Sequence, residues 1–547
     1  MIDDHDRKLL WMTWFPVVAV AIFYAPGFGG YWLGDDFANL HRAYAQAQQG
    51  TLWPDTLRVF FTATPSEGAF YRPMMVLSIT LNYVLASEHY SGWYLFNFAV
   101  HLLNTWLIAL VVRRIAMHEQ CDATFAAPLA ALLFGLCPSV AEGVYWISAR
   151  ADGIVTLLSL AGLYCWASAS VTASASARSA YILPMLHILA LGFKESAAVV
   201  PLQMALLAFA WRGSLSRSQR WSIFITFVAA GIFLAWRAYL FGNAWNIYTP
   251  QDSASLALHT KFWGALMSLW PWWTALGSAT PSLSKLYVAC CATAIFLAVF
   301  VRPAPHWKMA LALLAGSGGL ALATLLNLGM MSSNGEGGRL TYGPVAWLAL
   351  AVGVIMSRPQ ILAPREWRRQ PFAIAVALAL VVAVTTGGVV LAAQLRVAWT
   401  GQASMRALAQ SVPQWVESHP GLTMLLVPDH DGQVVMSRNA QAGLVLEPIQ
   451  QQAYLHRVLP TLSSEMSIRQ QQFGNGLVQQ LETIRPRLAG AGSLTAILAP
   501  APAGWPRHIA CWSKSQQKIA ALKPPPADIA TTSWATTIGV AADHCQQ

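Results

Sequence analysis

Long apolar runs, separated by short clusters of lysine and arginine, dominate this chain of 547 residues. Hydrophobic residues make up 56% of the chain and charged residues only 11%, whereas charged residues approach a quarter of ordinary soluble proteins. A run of about 20 apolar residues is long enough to cross a bilayer as a helix. The sequence therefore predicts an all-α polytopic membrane bundle, and the net charge of +10 indicates membrane topology instead of nucleic-acid binding.

Eleven spans follow when the basic clusters are placed in the cytoplasm. They are expected at 9–28, 93–112, 125–147, 153–169, 180–193, 197–211, 221–241, 286–301, 309–328, 341–356 and 372–393. The first run has no small-residue cleavage site, so it is interpreted as a retained helix instead of a signal peptide.

Two apolar segments are predicted to lie in the membrane interface instead of crossing it. Pro73 to Ala86 has only about 14 residues, and counting it as a span would put Arg113 and Arg114 outside the cell. The segment 242–285 is interrupted by prolines and carries the tryptophan cluster SLWPWWTAL, which favours the headgroup layer.

The composition changes after Ala393, and residues 394–547 are predicted to form a small soluble α/β domain. GLTMLLVPDHDGQVV and GSLTAILAP read as strands within it. With an odd number of spans before it, this domain faces outward, and residues 29–92 form the first outer loop of the membrane domain 1–393. Cys511 and Cys545 either form a disulfide there or stay reduced, and no cysteine spacing matches a metal site.

Two adjacent carboxylates, Asp35 and Asp36, follow the first span within the stretch YWLGDDFANLHRAY. Carboxylates of this kind also cap helices or simply stay solvated. The predicted topology, however, brings further ionisable residues to the same outer side: Arg72, Glu142, Arg150, Asp152, Lys194, Glu195, Glu336 and Arg339. A charge at membrane depth costs about 2.5–3.5 kcal/mol on insertion scales, so a one-sided set indicates a wet cavity.

Lys194 and Glu195 are predicted to lie at the floor of that cavity. The flanking helices have about 15 residues, or roughly 22 Å, against a hydrocarbon thickness of about 30 Å. A mutual ion pair between the two is the alternative. A cavity with acids and bases suits sugar transfer from a lipid phosphate, since cations stabilise the leaving phosphate and a carboxylate takes the proton of the acceptor hydroxyl. No glycine-rich phosphate loop is present.

Six motifs in order complete the pattern: LGDDF, YRPM, FNFAVHLLN, CPSVAEGVYWISARAD, FKES and GGRLTYGP. Together they resemble the GT-C class of polytopic glycosyltransferases, and they are most similar to the transmembrane-and-tetratricopeptide O-mannosyltransferases and their bacterial relatives. The resemblance covers about residues 1–393. It implies an acidic motif in the first outer loop, a polyprenyl-phosphate sugar as donor, and transfer with inversion.

Position by position, the resemblance implies that Asp36, or else Asp35, is the catalytic base, with the other carboxylate orienting it or the acceptor. Residues implied to bind substrate, in several cases the donor phosphate, are Arg72, Glu142, Arg150, Asp152, Lys194, Glu195, Arg339 and Tyr342. The three carboxylates of that set equally suit holding the cations in place. His101 and Asn104 also match, and on an apolar span they suit buried hydrogen bonds.

The chain departs from the family in two ways. Cys137 to Val140 stand where relatives carry His-Pro-x-His, and no 34-residue repeat follows the membrane domain. A glycan or lipid-linked acceptor is therefore favoured over recognition of a protein, although all three remain open. An acidic pair also binds Mg²⁺ or Mn²⁺, so metal dependence is left to experiment.

The resulting hypothesis is a glycosyltransferase of a bacterial cytoplasmic membrane, with its active site and C-terminal domain outside. A transporter or flippase of lipid-linked saccharides is the alternative from another class. Such proteins commonly show internal repeats and charges near the membrane midplane, whereas the charges here are biased to one side. A non-catalytic scaffold would tolerate the loss of both Asp35 and Asp36.

Overall fold

The computed structural model describes eight long stretches of the chain and four short strands. The stretches are 4–32, 35–62, 70–171, 178–211, 215–242, 307–325, 338–359 and 371–418, and the strands lie between 423 and 521. The chain divides into two compact units, one of residues 1–29 and 46–396 and one of residues 30–45 and 397–547.

Helices form almost all of the described residues of the first unit. In chain order they are α1 Asp4–Tyr24, α3 Leu52–Arg58, α4 Pro73–Ala86, α5 Tyr90–His118, α6 Ala126–Gly135, α7 Glu142–Tyr145, α8 Arg150–Val171, α9 Arg178–Phe193, α10 Val200–Ala210, α11 Arg217–Phe241, α12 Trp307–Leu325 and α13 Tyr342–Met356. The helix α2, Asp35–Gln48, begins in the second unit, and α14 is Pro371–Ser418.

Six helical segments in the described residues are long and apolar enough to cross a membrane. They are Met12–Gly29, Tyr90–His118, Ile147–Ala169, Arg217–Phe241, Gly338–Met356 and Val381–Thr400. Four shorter apolar helices accompany them: Pro73–Ala86, Ser179–Phe193, Glu195–Ala210 and Lys308–Thr324. The mostly helical, multi-pass membrane architecture predicted from the sequence is confirmed.

Ten of the eleven predicted spans overlap a described helix, while 286–301 and the interfacial segment 243–285 lie outside the described residues. The total of eleven therefore stays a prediction. The span predicted at 125–147 corresponds to two helices, Ala126–Gly135 and Pro138–Tyr145, which are together apolar enough to cross a membrane but bend by 51° where they meet. Pro138 explains the bend, since proline disfavours a helical residue before it, and Cys137 is extended, with φ −72° and ψ 122°.

Small residues let the helices of the first unit approach one another closely. Helix α6 is rich in alanine and is buried along most of its length. On α13, a Cβ at Gly353 would lie 2.6 Å from Val112 and 2.9 Å from Ala130. Packing through small residues is the usual way in which membrane helices associate, because lipid offers no hydrophobic driving force between them.

Helix α4 lies across one end of this bundle. A Cβ on Gly192, at the end of α9, would contact Met74, and one on Gly92, at the start of α5, would contact Ala86. Between these two points, Asn82 accepts a hydrogen bond from Arg150 at the start of α8. A helix that crosses the ends of three others takes the course expected of an interfacial helix, and its leaflet stays a prediction. This end, where α5 and α8 begin and α9 ends, is called the cluster end.

The opposite end of the bundle is called the basic end. It carries Arg113, Arg114, Arg178, Arg217, Arg220, Lys308 and Arg358. A short antiparallel pair joins β1 (Cys121–Asp122) to β2 (Arg358–Pro359) there. Trp166 and Gln219 exchange hydrogen bonds between side chain and backbone carbonyl, tying α8 to α11.

Helix α14 continues without interruption through the domain boundary that was predicted after residue 393. Beyond it, four strands form one sheet: β3 Thr423–Leu426, β4 Leu444–Leu446, β5 His508–Ser513 and β6 Lys518–Ala521. Their order is β4-β3-β5-β6, with β3 and β5 parallel and the other neighbours antiparallel. Strand β3 falls in the predicted segment GLTMLLVPDHDGQVV, whereas GSLTAILAP and Cys545 lie outside the described residues.

Candidate active site

Arg72 and Glu195 form a two-point ion pair at the cluster end. Arg72 Nε donates to Oε2 at 3.1 Å and Nη2 to Oε1 at 2.6 Å. Arg72 precedes α4, and Glu195 begins a 3₁₀ turn between α9 and α10. Burial tends to raise the pKa of Glu195, but the Arg72 guanidinium outweighs this and holds it at about 2. The pair is therefore ionised at physiological pH.

Lys194 and Asp152 form a second ion pair, deeper than the first. Lys194 Nζ lies 2.7 Å and 2.6 Å from the two carboxylate oxygens, and the side chains are only 10% and 8% exposed. Lys194 is extended where α9 ends, and Asp152 lies in the first turn of α8. Burial lowers the pKa of Lys194, against the opposing effect of Asp152. Lys194 and Glu195 thus bind different partners, and a mutual ion pair is not the arrangement.

Glu142 and Arg339 form the third pair. Glu142 Oε2 accepts from the Arg339 backbone N–H and Oε1 from Nη1, both at 2.8 Å. The carboxylate is buried, whereas the arginine side chain is 29% exposed and lies over the Trp146 ring at 4.4 Å. Gly338 is needed before it, because a Cβ there would overlap the Ser139 carbonyl oxygen.

Arg150 is almost fully buried, at 1% exposure. It donates to Asn82 Oδ1 at 2.9 Å and to the Ser78 carbonyl at 3.4 Å, both on α4. Its guanidinium also lies 5.4 Å and 4.9 Å from the rings of Trp93 and Phe96. These contacts favour a role in fastening α4 to α8 over the predicted contact with a donor phosphate.

Arg237 is a further cation that the sequence reasoning missed. It lies within the membrane helix α11 at 1% exposure, and it interacts electrostatically with Glu195 and Arg72. Sequence analysis passed over it because it is a lone charge inside an apolar run. The signal was present, however, since an ionisable residue within a span is costly and commonly functional.

Eight side chains at this end are together called the charge cluster. They are Arg72, Glu142, Arg150, Asp152, Lys194, Glu195, Arg237 and Arg339. Its five cations exceed its three carboxylates by two. The side chains of Arg72 and Arg339 are 25% and 29% exposed, whereas that of Lys194, the cation of the second ion pair, is only 10% exposed. The cluster therefore suits an anionic ligand that meets these two arginines.

Tyr342 lies beneath the charge cluster, within the bundle, at 1% exposure. Its hydroxyl lies 2.7 Å from His101 Nδ1, and His101 Nε2 lies 3.1 Å from the Gly135 carbonyl. Since a carbonyl only accepts, Nε2 carries the proton, and Tyr342 donates to Nδ1. Asn104 donates to the same hydroxyl at 3.3 Å. This placement favours support of the cluster over the predicted substrate contact by Tyr342, and it gives His101 and Asn104 buried hydrogen-bonding positions.

Asp35 begins α2, and Asp36 follows it in the first helical turn, where the helix dipole stabilises a carboxylate such as that of Asp36. Asp36 is 2% exposed, and the side chain of Asp35 is outside the described part of the structure, as is Glu336. Within the same unit, Arg406 of α14 donates to the Gly30 carbonyl and lies over the Tyr31 ring at 5.5 Å. The stretch leading to the two carboxylates is therefore fastened to the polar extension of α14.

A divalent cation finds no ready set of ligands in the described residues. No three His, Cys, Asp or Glu side chains among them form a group able to hold a metal ion. The carboxylates of Glu142, Asp152 and Glu195 each bind a cationic side chain instead.

No family model and no curated protein matches this chain. Among solved structures, it is similar to the arabinofuranosyltransferase AftD from Mycobacteria, with a TM-score of 0.43 and 15% identity over 80% of this chain and 31% of that one. It is also similar to ArnT from Cupriavidus metallidurans bound to undecaprenyl phosphate, with a TM-score of 0.45 and 11% identity over 96% and 95%. The chain thus spans about a third of AftD.

Proposed function

We propose that this protein is a GT-C-type glycosyltransferase that moves a sugar from a polyprenyl phosphate to a hydroxyl of a glycan, lipid or protein. The observation that supports it most is the charge cluster, where Arg72 and Arg339 are held by buried or half-buried carboxylates and keep part of each side chain exposed. Resident carboxylates fix the direction of each guanidinium before a ligand arrives. Such preorganised donors stabilise charge that develops during a reaction.

The donor phosphate would bind to Arg72 and Arg339. Guanidinium groups suit phosphate because their planar set of N–H donors matches its oxygens. When the bond between the anomeric carbon and the phosphate oxygen breaks, negative charge grows on the phosphate, and the excess of two cations in the cluster offsets it. Lys194 and Arg237 contribute to the local potential from more buried positions.

The acceptor hydroxyl would attack the anomeric carbon from the face opposite the phosphate, with inversion. Asp36 takes the proton of that hydroxyl, Asp35 orients the base or the acceptor, and polyprenyl phosphate leaves. This assignment follows from the motif LGDDF in the predicted first outer loop. General-base catalysis of this kind contributes about 10²- to 10⁴-fold in rate.

The cluster end would face the outside of a bacterial cytoplasmic membrane, because the opposite end carries the basic residues that favour the cytoplasm. The proposed arrangement has eleven spans and an outer α/β domain at 394–547 that helps to bind the acceptor. A cysteine replacing Glu88 should react with an impermeant maleimide in intact cells. One replacing Ser218 should react only after permeabilisation, and the reverse result contradicts this orientation.

The catalytic claim is tested with Asp35→Asn, Asp36→Asn and the double variant in isolated membranes. Transfer of radiolabelled sugar from polyprenyl-phosphate donors is measured at matched protein levels, and the expected loss for Asp36→Asn is about 10²- to 10⁴-fold. Asp55→Asn is the matched control, because Asp55 also lies in a first helical turn of the predicted outer loop. Normal transfer by the double variant would falsify the assignment of these carboxylates.

A further inference from the structure

A groove opens at the basic end, between the first turns of α9 and α11. Six residues line it, one on α9 and the others at the start of α11: Tyr181, Ser216, Arg217, Ser218, Trp221 and Ile225. Its volume is about 570 Å³, and small-molecule sites have volumes of about 300–1,000 Å³. The groove is therefore large enough for a ligand, and it lies at the end of the bundle opposite the charge cluster.

Arg217 gives the groove a positive charge that the surrounding protein leaves available. Its side chain is exposed, and it has no hydrogen-bond or ion-pair partner among the described residues. The neighbouring Arg220 differs, because its Nη2 donates to the Leu215 carbonyl at 3.2 Å and it does not line the groove. None of the described residues that line the groove is a carboxylate. The charge of the groove thus favours an anionic ligand.

Ser218 supplies a hydroxyl next to this charge. The Ser216 hydroxyl is already used in the capping box of α11, where it accepts from the Gln219 backbone N–H at 3.3 Å and donates to Gln219 Oε1 at 3.0 Å. Ser218 Oγ lies 3.0 Å from Ser216 Oγ, and the hydrogen of a serine hydroxyl rotates to suit its partner. A guanidinium with a hydroxyl beside it matches the oxygens of a phosphate ester.

The part of the groove nearer the membrane is aromatic and apolar. Helix α11 is the candidate span Arg217–Phe241, so its first turn lies at the membrane surface. Trp221 and Tyr181 are both exposed, and tryptophan and tyrosine prefer the level of the lipid headgroups. Ile225 lines the groove one turn farther along α11, and Phe224 contacts the Trp221 ring at 5.4 Å. The groove thus changes from cationic to apolar in the direction in which a lipid changes from headgroup to acyl chain.

This combination fits a lipid with a single anionic phosphate. A free phosphate would leave the apolar part uncovered, and a zwitterionic lipid would bring a second cation to Arg217. A lipid with two phosphates would need a second cation in the lining, which has only one. We propose that the groove binds one singly anionic phospholipid, with Arg217 and Ser218 on its phosphate and the aromatic and apolar lining against its acyl chain. Basic pockets between membrane helices commonly hold anionic headgroups.

The test uses native mass spectrometry of the full-length protein in a neutral detergent, which measures the dissociation constant of the first bound lipid. Phosphatidylglycerol is the probe, and phosphatidylcholine with the same acyl chains is the zwitterionic comparison. The variant is Arg217→Gln. Arg220→Gln is the matched control, since Arg220 is exposed on the same helical turn without lining the groove. Neither change touches the capping box between Ser216 and Gln219.

We expect the unaltered protein to bind phosphatidylglycerol about fivefold more tightly than phosphatidylcholine, because one arginine near a membrane surface attracts an anionic lipid by about this factor. Arg217→Gln should lose this preference, whereas Arg220→Gln should keep it within twofold. All three proteins should bind phosphatidylcholine equally, which shows that the fold is unaltered. A photoactivatable phosphatidylglycerol should label the peptide that contains Trp221 and Ile225, and Arg217→Gln should reduce this labelling at least fivefold.

Three results overturn the site. An unchanged preference for phosphatidylglycerol in Arg217→Gln means that other charges attract the lipid. Displacement of the lipid by equimolar glycerol phosphate means that the groove holds a free phosphate. Displacement by equimolar polyprenyl phosphate means that the groove is a second site for the proposed donor lipid. Sugar transfer is not measured in any of these experiments, so the site and the glycosyltransferase function stand or fall separately.

Discussion

The two ends of the helix bundle use charge in opposite ways. At the basic end, Arg217 and Arg220 are exposed on the first turn of α11. At the cluster end, the ion pair between Lys194 and Asp152 is almost buried. Two further ion pairs lie there: Arg72 and Glu195 are 2.6 Å apart, and Arg339 and Glu142 are 2.8 Å apart. Solvated arginines suffice as orientation signals, whereas burial of paired charges is costly. The comparison teaches that buried ion pairs hold charges in a fixed geometry at the cluster end, whereas Arg217 and Arg220 are left to solvent at the basic end.

Loss of the buried Lys194 gives the largest expected contrast in stability. Lys194→Met leaves the Asp152 carboxylate buried without its partner, and we expect a loss of about 3–5 kcal/mol in the free energy of unfolding. Arg220→Met at the basic end should change it by less than about 0.5 kcal/mol. Thermal unfolding in detergent measures both. Adding Asp152→Leu to Lys194→Met should restore part of the loss, and equal effects at the two ends would contradict the comparison.

Loss of the partly exposed guanidinium of Arg339 gives the largest expected contrast in transfer rate between the two ends. Arg339→Gln removes a charge-stabilising donor, and we expect transfer to fall by about 10²- to 10³-fold. Arg114→Gln is the control, because Arg114 also lies over an aromatic ring, Tyr164, at 5.5 Å, but at the basic end. Its transfer rate should stay within twofold of the unaltered protein. A similar loss in both variants would show that the cluster has no special role.

Lowering the pH should weaken the contribution of Glu195 to the stability of the cluster end. Its pKa is lowered from 4.5 to about 2 in the folded protein by Arg72, against the effect of burial. A lowered folded pKa means that this stabilisation is complete above the unfolded value and is lost as the pH falls toward 2. The stability difference between the unaltered protein and Glu195→Gln should therefore stay constant from pH 7 to about pH 5 and narrow below 4.5. Narrowing already at pH 6 would argue against the tight pair with Arg72.

The smallest effect is expected from Arg217→Gln together with Arg220→Gln. Both side chains are exposed, and exposed charges contribute little to stability. Transfer in isolated membranes should be unchanged within twofold, provided that insertion is normal. A large loss of transfer with normal insertion would show that the basic end takes part in the reaction.

Sequence reasoning located the helices well, because length and apolarity decide where a chain crosses a membrane. It did not predict two details of those helices. Pro138 bends a run that looked continuous, and α14 extends beyond the predicted span as far as Ser418. Neither the bend nor the extension changes the hydropathy pattern on which the prediction depended.

The members of the site were also predictable in large part, whereas their partners were not. Topology brought Arg72 and Glu195 to one side, but only the folded chain shows that these residues, 123 positions apart, bind each other. Arg237 was not predicted as a site residue, because a single charge does not interrupt the apolar run of α11. Which side chains pair depends on how the helices are rotated about their axes, and no local sequence pattern records these rotations. The sequence therefore predicted the set of carboxylates and cations but not which carboxylate binds which cation.

The ion pair between Arg339 and Glu142 depends on the absence of a side chain at Gly338. Its α-carbon faces the carbonyl oxygen of Ser139, beside the bend that Pro138 creates. Even one methyl group there would push the next residue, Arg339, away from Glu142. The orientation of Arg339, the most exposed cation of the charge cluster, therefore depends on the absence of a side chain at position 338. Gly338→Ala would displace Arg339 from Glu142 without changing any charge.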